Sequence, residues 1–335
     1  MALVCATATF AQVSEVQTAT LIHGDKTSVF YGIGALQEAY NTAADTADVI
    51  ILSQGTFSIE TIQKSISIYG ACMDEDATNV LYKTYIGGRF IGWDILQIEP
   101  VEYYDEYGEK RTKMPTVHLE GILTDLNIPN GNTPLNNLEI VKSSMNIRVG
   151  GESYNTTIRQ SVVGFVQHNS GIAHNLNVYN SFIGGLTVPV TSSVNVDHCV
   201  INNGSTFPLG IGYYTNNISY RNIEAQSTAY NNIFVGNTGI GEPNTQENNW
   251  FGIANDAIWA VEGEDGSYGP TKTYELKFPK KYVGTDGTVV GPAGGQYPWN
   301  IIPSIPRIIS SDIDARVAAD GKLKVRLKVE AQTKE

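Results

Sequence analysis

From Leu176 onward the chain repeats a short phrase. Leu176 and Val178 precede Asn180, and Ser181 and Ile183 follow it; Val194 and Val196 precede His198, and Cys199 and Ile201 follow it. The inward positions fall two and four places before a polar residue, then one and three places after it. Side chains of a strand alternate between faces, so the same face stays inward only if the chain bends at that residue and consumes one position. The pattern therefore predicts short strands joined at corners. Asparagine suits such a corner because it tolerates the left-handed backbone and its amide can bond locally or to the next layer. With corners at Asn146, Gln160, Asn180, His198 and Asn222, the spacings are 14, 20, 18 and 24 residues, each close to one rung of a parallel β-solenoid. The corner side chains are expected to stack as a ladder. Asn232 follows Asn222 by only 10 residues and is expected to mark a different corner.

Upstream of the repeat, Ala35, Leu36, Ala39, Tyr40 and Ala43 fall at helical spacing, with Gln37, Glu38, Asn41 and Thr42 on the opposite face. They predict one amphipathic helix, placed to cap the coil. The run Val49 to Leu52 reads as a strand buried on both faces, and SISIYG alternates up to a stop at Gly70. Residues 89–115 are charged and aromatic, with Tyr103, Tyr104 and Tyr107 beside Glu102, Asp105 and Glu106, and predict a projecting loop or hairpin. Near Trp259 the composition shifts to turn-rich sequence. Leu323, Val325, Leu327 and Val329 then alternate strictly with polar residues, as in a half-exposed antiparallel strand. The expected organisation is a signal-peptide remnant at 1–11, a capped coil at 12–258, and a β extension at 259–335 that closes the far end.

Composition narrows the partners. The chain of 335 residues carries 34 acidic and 22 basic side chains, a net charge of -12, which argues against nucleic acid and anionic membrane surfaces. The opening MALVCATATFAQ reads as the second half of a secretory signal, so the protein is expected to be exported to the periplasm, the cell surface or the exterior. No later segment is apolar enough for a membrane helix. Cys72 and Cys199 lie far apart in apolar contexts and are expected to be buried thiols rather than a disulfide framework.

ALQEAYNTAADTADVIILSQGTF followed by IQKSISIYGACMD resembles the opening of secreted pectate-lyase-like proteins of the gut Bacteroidetes type. NNIFVGN, ENNWFG, GTDGTVVGPAGGQYPW and PSIPRI are similar to that group as well. The resemblance covers nearly the whole chain after the signal. It implies an all-β, right-handed parallel β-helix with an N-terminal capping helix and a C-terminal antiparallel extension. It specifies activity poorly, because this fold hosts lyases, glycosidases, esterases and adhesins.

Lyases of this fold use a calcium cluster of aspartates and a basic residue. The carboxylates of the rung region, Asp125, Glu139, Glu152, Asp197 and Glu224, form no apparent cluster, and no polygalacturonase-type phrase is present. Asp74, Asp76 and Asn79 could hold calcium, but the turn lacks the glycine of an EF-hand loop, and no cofactor is expected. His118, His168 and His174 have no identifiable partners, and His198 reads as a structural corner. Residues beside the corners should face outward: Arg159, Tyr179, Asp197 and Arg221 before them, Phe182 and Glu224 after them. Stacked laterally, aromatic faces and arginines could hold an extended, charged glycan, or Asp197 and Arg221 could simply pair. The expectation is noncatalytic polysaccharide binding or adhesion. A lyase or glycosidase with an unrecognised site, and a structural or protein-binding component, are the alternatives.

Overall fold

The structure, a computed structural model, describes residues 17–44, 48–75, 82–87, 95–202, 208–313, 321 and 325–330. Ten strands stack in parallel as the long sheet: Asp48–Leu52, Ile66–Tyr69, Val117–Glu120, Leu138–Val141, Ser153–Arg159, Ala173–Tyr179, Val194–Asp197, Tyr213–Thr215, Thr228–Tyr230 and Thr245–Glu247. A second sheet runs from Ile95–Gln97 through Ser144–Val149 and Val162–His168 to Trp250–Ile253. The chain is thus a parallel β-solenoid of about ten turns. Between the sheets lies one continuous core, to which the long sheet contributes Ile68, Leu119, Ile140, Ile158, Val178 and Val196. The second sheet contributes Leu96, Leu126, Ile147, Ile183 and Ile201.

At the N-terminal end the helix Ala35–Thr42 buries Ala35, Leu36, Ala39 and Tyr40, the face expected from its spacing. Beside it the hairpin of Thr18–His23 and Lys26–Tyr31 adds two antiparallel strands to Asp48–Leu52. The charged excursion is a hairpin, with Val101–Tyr104 paired to Lys110–Lys113 and Tyr104 and Tyr107 in solvent. Cys72 and Cys199 are both buried, and neither is in a disulfide. Among the described residues no helix is long and apolar enough to cross a membrane.

The corners are a series of left-handed residues. Gly121, Lys142, Gln160, Asn180, His198, Asn216, Asn231 and Asn248 all have φ between 45° and 68°. Gln160, Asn180 and His198 are therefore corners as expected, but Asn146 and Asn222 are not. Asn146 lies mid-strand between buried Met145 and Ile147, so the alternation runs straight through it. Asn222 is exposed and lies six positions after the true corner at Asn216. Asn231 closes a rung of 15 residues, counted from Asn216, and is the corner one residue before Asn232. At Gly121 a side chain would also stand 2.8 Å from the Gly70 carbonyl oxygen, so two demands converge on glycine there.

The stacked ladder is one residue later than expected. Ser143, Ser161, Ser181, Cys199, Asn217, Asn232 and Asn249 point inward, and each backbone N–H from Ser143 to Asn232 donates to the side chain of the next rung. The same side chains donate back to carbonyls at the turn, as Ser181 Oγ does to Tyr179 O at 2.7 Å and Asn217 Nδ2 to Val196 O at 2.9 Å. Buried backbone groups at the bends from Lys142 to Asn231 are satisfied in this way.

The corner side chains do something else: they clasp the C-terminal segment, which runs back along the coil as an irregular arm. Asn231 Nδ2 donates to Val283 O, Asn216 exchanges hydrogen bonds with Thr285, and His198 Nε2 lies 3.1 Å from Thr288 Oγ1. Asn180 Nδ2 then donates to Pro292 and Gly294 carbonyls, Gln160 Nε2 to Pro298 O, and Lys142 Nζ to Ile302 O. The sequence of contacts is monotonic, so the arm descends one corner after another. Beneath it, the outward residues Val162, Phe182, Val200, Ile218 and Ile233 form an apolar row, covered by Trp259, Tyr274, Tyr282, Val290 and Trp299. Among the described residues of the C-terminal extension, Arg307–Ile313 and Val325–Glu330 pair as antiparallel strands, and single antiparallel bridges join Trp259 to Leu276 and Val283 to Val289.

Candidate functional site on the long sheet

The outward side of the long sheet carries two rows in strict register. One reads Tyr69, Glu120, Val141, Arg159, Tyr179, Asp197, Thr215, Tyr230 and Glu247. The other reads Ser67, His118, Glu139, Thr157, Asn177, Asn195, Tyr213, Thr228 and Thr245. Period-two alternation puts these residues outward because their neighbours fill the core. Along one border of the face, Asn137, Asn155 and Asn175 form left-handed bulges whose amides link from rung to rung. Along the other border the arm supplies Tyr297.

Of the six residues expected to share a binding surface, Arg159, Tyr179 and Asp197 occupy consecutive rungs of one row. Phe182 does not belong with them. It is 0% exposed and packs against Tyr268, Tyr274 and Trp299, because the arm covers the second sheet where open solvent was expected. Arg221 and Glu224 lie beyond the corner on another side of the coil, where an Arg221 guanidinium nitrogen donates to Gly184 O. Burial lowers the Arg221 pKa, against the attraction of Glu224. Asp197 is bound by Thr215 Oγ1 and Asn216 Nδ2, each at 2.8 Å, and stands 3.0 Å from His198 Nδ1. Its pKa falls although burial opposes this, because those contacts favour the anion.

At the N-terminal end of the face four charged groups close on one another. His118 Nδ1 lies 2.8 Å from Glu139 Oε2, and its Nε2 lies 3.5 Å from Glu120 Oε2. Arg159 donates through Nε and Nη2 to Glu139 Oε1 at 3.2 and 3.1 Å, while its guanidinium sits 5.1 Å from the Tyr297 ring centroid. Glu120, 2% exposed, also accepts the Ser304 N–H from the arm at 2.6 Å. Burial pulls the His118 pKa down, but the two glutamates outweigh it and push it up to about 9. The His118 contact lowers Glu139 to about 2 against its partial burial, with Arg159 assisting. Glu120 also falls below the usual range although burial opposes it, through His118 and Ser304.

This cluster was not legible in the sequence, where His118 had no identifiable partner. Its signal is the 21-residue separation of His118 and Glu139, one rung apart in register, which becomes readable only once Gly121 and Lys142 are known to be corners. His168 lies 3.4 Å from Ser153 Oγ, and burial lowers its pKa. His174 stacks on Tyr154 at 4.3 Å. Of the calcium candidates, Asp76 and Asn79 lie outside the described residues, and Asp74 pairs with Lys83 at 3.2 Å. Comparison with protein-family models, curated proteins and solved structures finds no match to this chain.

Proposed function

We propose that the protein is exported and binds an extended polysaccharide on the outward face of its long sheet without cleaving it, a role that serves surface adhesion. The observation that carries this reading is the in-register pair of rows, in which Asn177, Asn195, Tyr213 and Thr228 run beside Tyr179, Asp197, Thr215 and Tyr230. Adjacent rungs lie about 4.8 Å apart, close to the length of one pyranose unit, so a linear glycan can meet an equivalent group at each step. Tyrosine rings offer flat apolar faces to sugar rings, and amides and hydroxyls match sugar hydroxyls.

The charged cluster favours binding over turnover. A general acid or base works best with a pKa near the operating pH. His118 and Glu139 are driven in opposite directions, to about 9 and about 2, by their own contact. At neutral pH they form an ion pair that stiffens the face.

The test is affinity electrophoresis of the protein through gels containing polysaccharides, with ultraviolet absorbance recorded in parallel for unsaturated uronate products and a reducing-end assay for hydrolysis. Retardation without product supports the reading. Product formation overturns it in favour of a lyase or glycosidase, and mobility unchanged by every polymer overturns it in favour of a structural or protein-binding role.

A further inference from the structure

Resting on that reading, we infer that the ligand of this face is a neutral glycan, selected against uronate-containing and sulfated chains. A binding site for a polyanion needs cations that are not already committed within the protein. On this face the cations are committed. Arg159 places two nitrogens on Glu139 and its guanidinium over Tyr297. His118 lies between Glu139 and Glu120. The two cations and two carboxylates cancel within the cluster. Lys142 is buried at the corner with its ammonium on Ile302 O, pointed to the arm rather than to the sheet.

Beyond the cluster, from Thr157 to Glu247, the two rows carry no lysine or arginine apart from Arg159, but they do carry Asp197 and Glu247. Asp197 is held in its charged form by Thr215 and Asn216. The C-terminal half of the face is therefore anionic, in a protein whose net charge is -12. Arg221, the other arginine expected to meet an anion, lies on another side of the coil with its guanidinium on Gly184 O. A sulfate or carboxylate at every sugar would meet repulsion over most of the face and no uncommitted cation on these rows.

What the face does offer is uncharged. Tyr213 is 60% exposed in the same row as Asn177 and Asn195, and Tyr179 and Tyr230 stand in the neighbouring row. Asn195 Nδ2 donates to Tyr179 OH at 3.4 Å, and Tyr179 OH donates to Asn177 Oδ1 at 3.3 Å, long bonds that hold the ring in place. Two rungs of amides flanked by tyrosines can stack on sugar rings and exchange hydrogen bonds with hydroxyls. A carboxylate on Asp197 is itself a good acceptor for a pair of sugar hydroxyls.

The matched probes are dextran against dextran sulfate and galactan against polygalacturonate, supplemented by β-glucan and mannan, with the full chain at low ionic strength. The expected result is retardation by at least one neutral polymer and none by the two polyanions. Tyr213→Ala and Tyr179→Ala should each weaken that binding roughly tenfold, with circular dichroism and unfolding midpoint unchanged for the exposed Tyr213 variant. Binding of a polyanion that fades with added salt would overturn this inference while leaving the polysaccharide reading standing. Binding of neutral glycan unaffected by either tyrosine variant would also overturn it, and no binding to any polymer would overturn both.

Discussion

Asn217 tests how the solenoid holds its bends. Its side chain is 0% exposed, accepts the Cys199 N–H at 2.8 Å, and donates to Val196 O at 2.9 Å and Asn232 Oδ1 at 3.0 Å. Asn217→Ala leaves the buried Cys199 N–H without that acceptor. Asn232 Oδ1 still receives the Asn217 backbone N–H at 2.9 Å, so this oxygen is not stranded. One orphaned donor costs about 1–3 kcal/mol, and the void left by the amide adds to it, for a total of roughly 2–4 kcal/mol. Urea unfolding reads the loss. Because rungs contact only their neighbours, hydrogen exchange over Val194–Asp197, Ile218–Ser219 and Ile233–Val235 should show it locally. Asn217→Ser restores an acceptor and should recover part of the stability. Cys199→Ser should be nearly neutral, since serine occupies the equivalent position in the three preceding rungs at 143, 161 and 181. A change below about 0.5 kcal/mol in Asn217→Ala, the scatter of ordinary surface substitutions, would refute the view that this inner ladder stabilises the bends.

Two further expectations follow from the arm and the charged cluster. Phe182→Ala should destabilise by about 3–5 kcal/mol and loosen the arm over the second sheet, read as a red shift in tryptophan emission from Trp299, which packs edge-on at 4.7 Å; unchanged emission and midpoint would show that the arm does not depend on this contact. For the cluster, the His118 pKa is raised from 6.5 to about 9, so its stabilisation is complete below 6.5 and lost as pH climbs through about 9. Glu139 is lowered from 4.5 to about 2, so its share is present above 4.5 and lost as pH falls through about 2. Unfolding midpoints should therefore decline between pH 6.5 and 9 in the wild type and decline less in Glu139→Gln, by a small amount because Glu139 is partly in solvent; identical alkaline limbs would refute the coupling.

The repeat, its parity change, the capping helix, the exposed hairpin and three corners were legible because hydrophobic alternation reports them directly. The remaining corners were hidden for a physical reason. Where the arm covers the second sheet, outward residues become apolar, and Ile218 and Ile233 are buried as completely as the true core. At the same bends the inward positions Asn217 and Asn232 are polar because the ladder requires hydrogen-bonding groups there, and inward Ser219 is polar as well, its hydroxyl bonded to the Arg221 backbone. Both substitutions invert the expected pattern, so the apparent parity slides from Asn216 to Asn222. Lys142 was missed for a simpler cause, since lysine is rare in left-handed backbone. The candidate face was half legible: Arg159, Tyr179 and Asp197 follow from verified corners, while Phe182, Arg221 and Glu224 depended on solvent exposure or on the displaced one.

That explanation has its own test, because Asn216 and Asn222 are the same residue type six positions apart with opposite roles. Asn216 has φ of 58°, and its amide donates to Asp197 and Thr285 while accepting the Thr285 N–H. Alanine there meets the steric cost of left-handed backbone, about 1–2 kcal/mol, and releases the arm at one clasp, about 1 kcal/mol more per net hydrogen bond. Asn222 is exposed and accepts a single N–H from Gly239 at 2.9 Å. Its alanine variant should cost about 1 kcal/mol or less. Chemical unfolding of the two variants side by side should rank Asn216→Ala well below Asn222→Ala in stability; the reverse order would mean that the bend is set at Asn222 and that the corner series is misplaced.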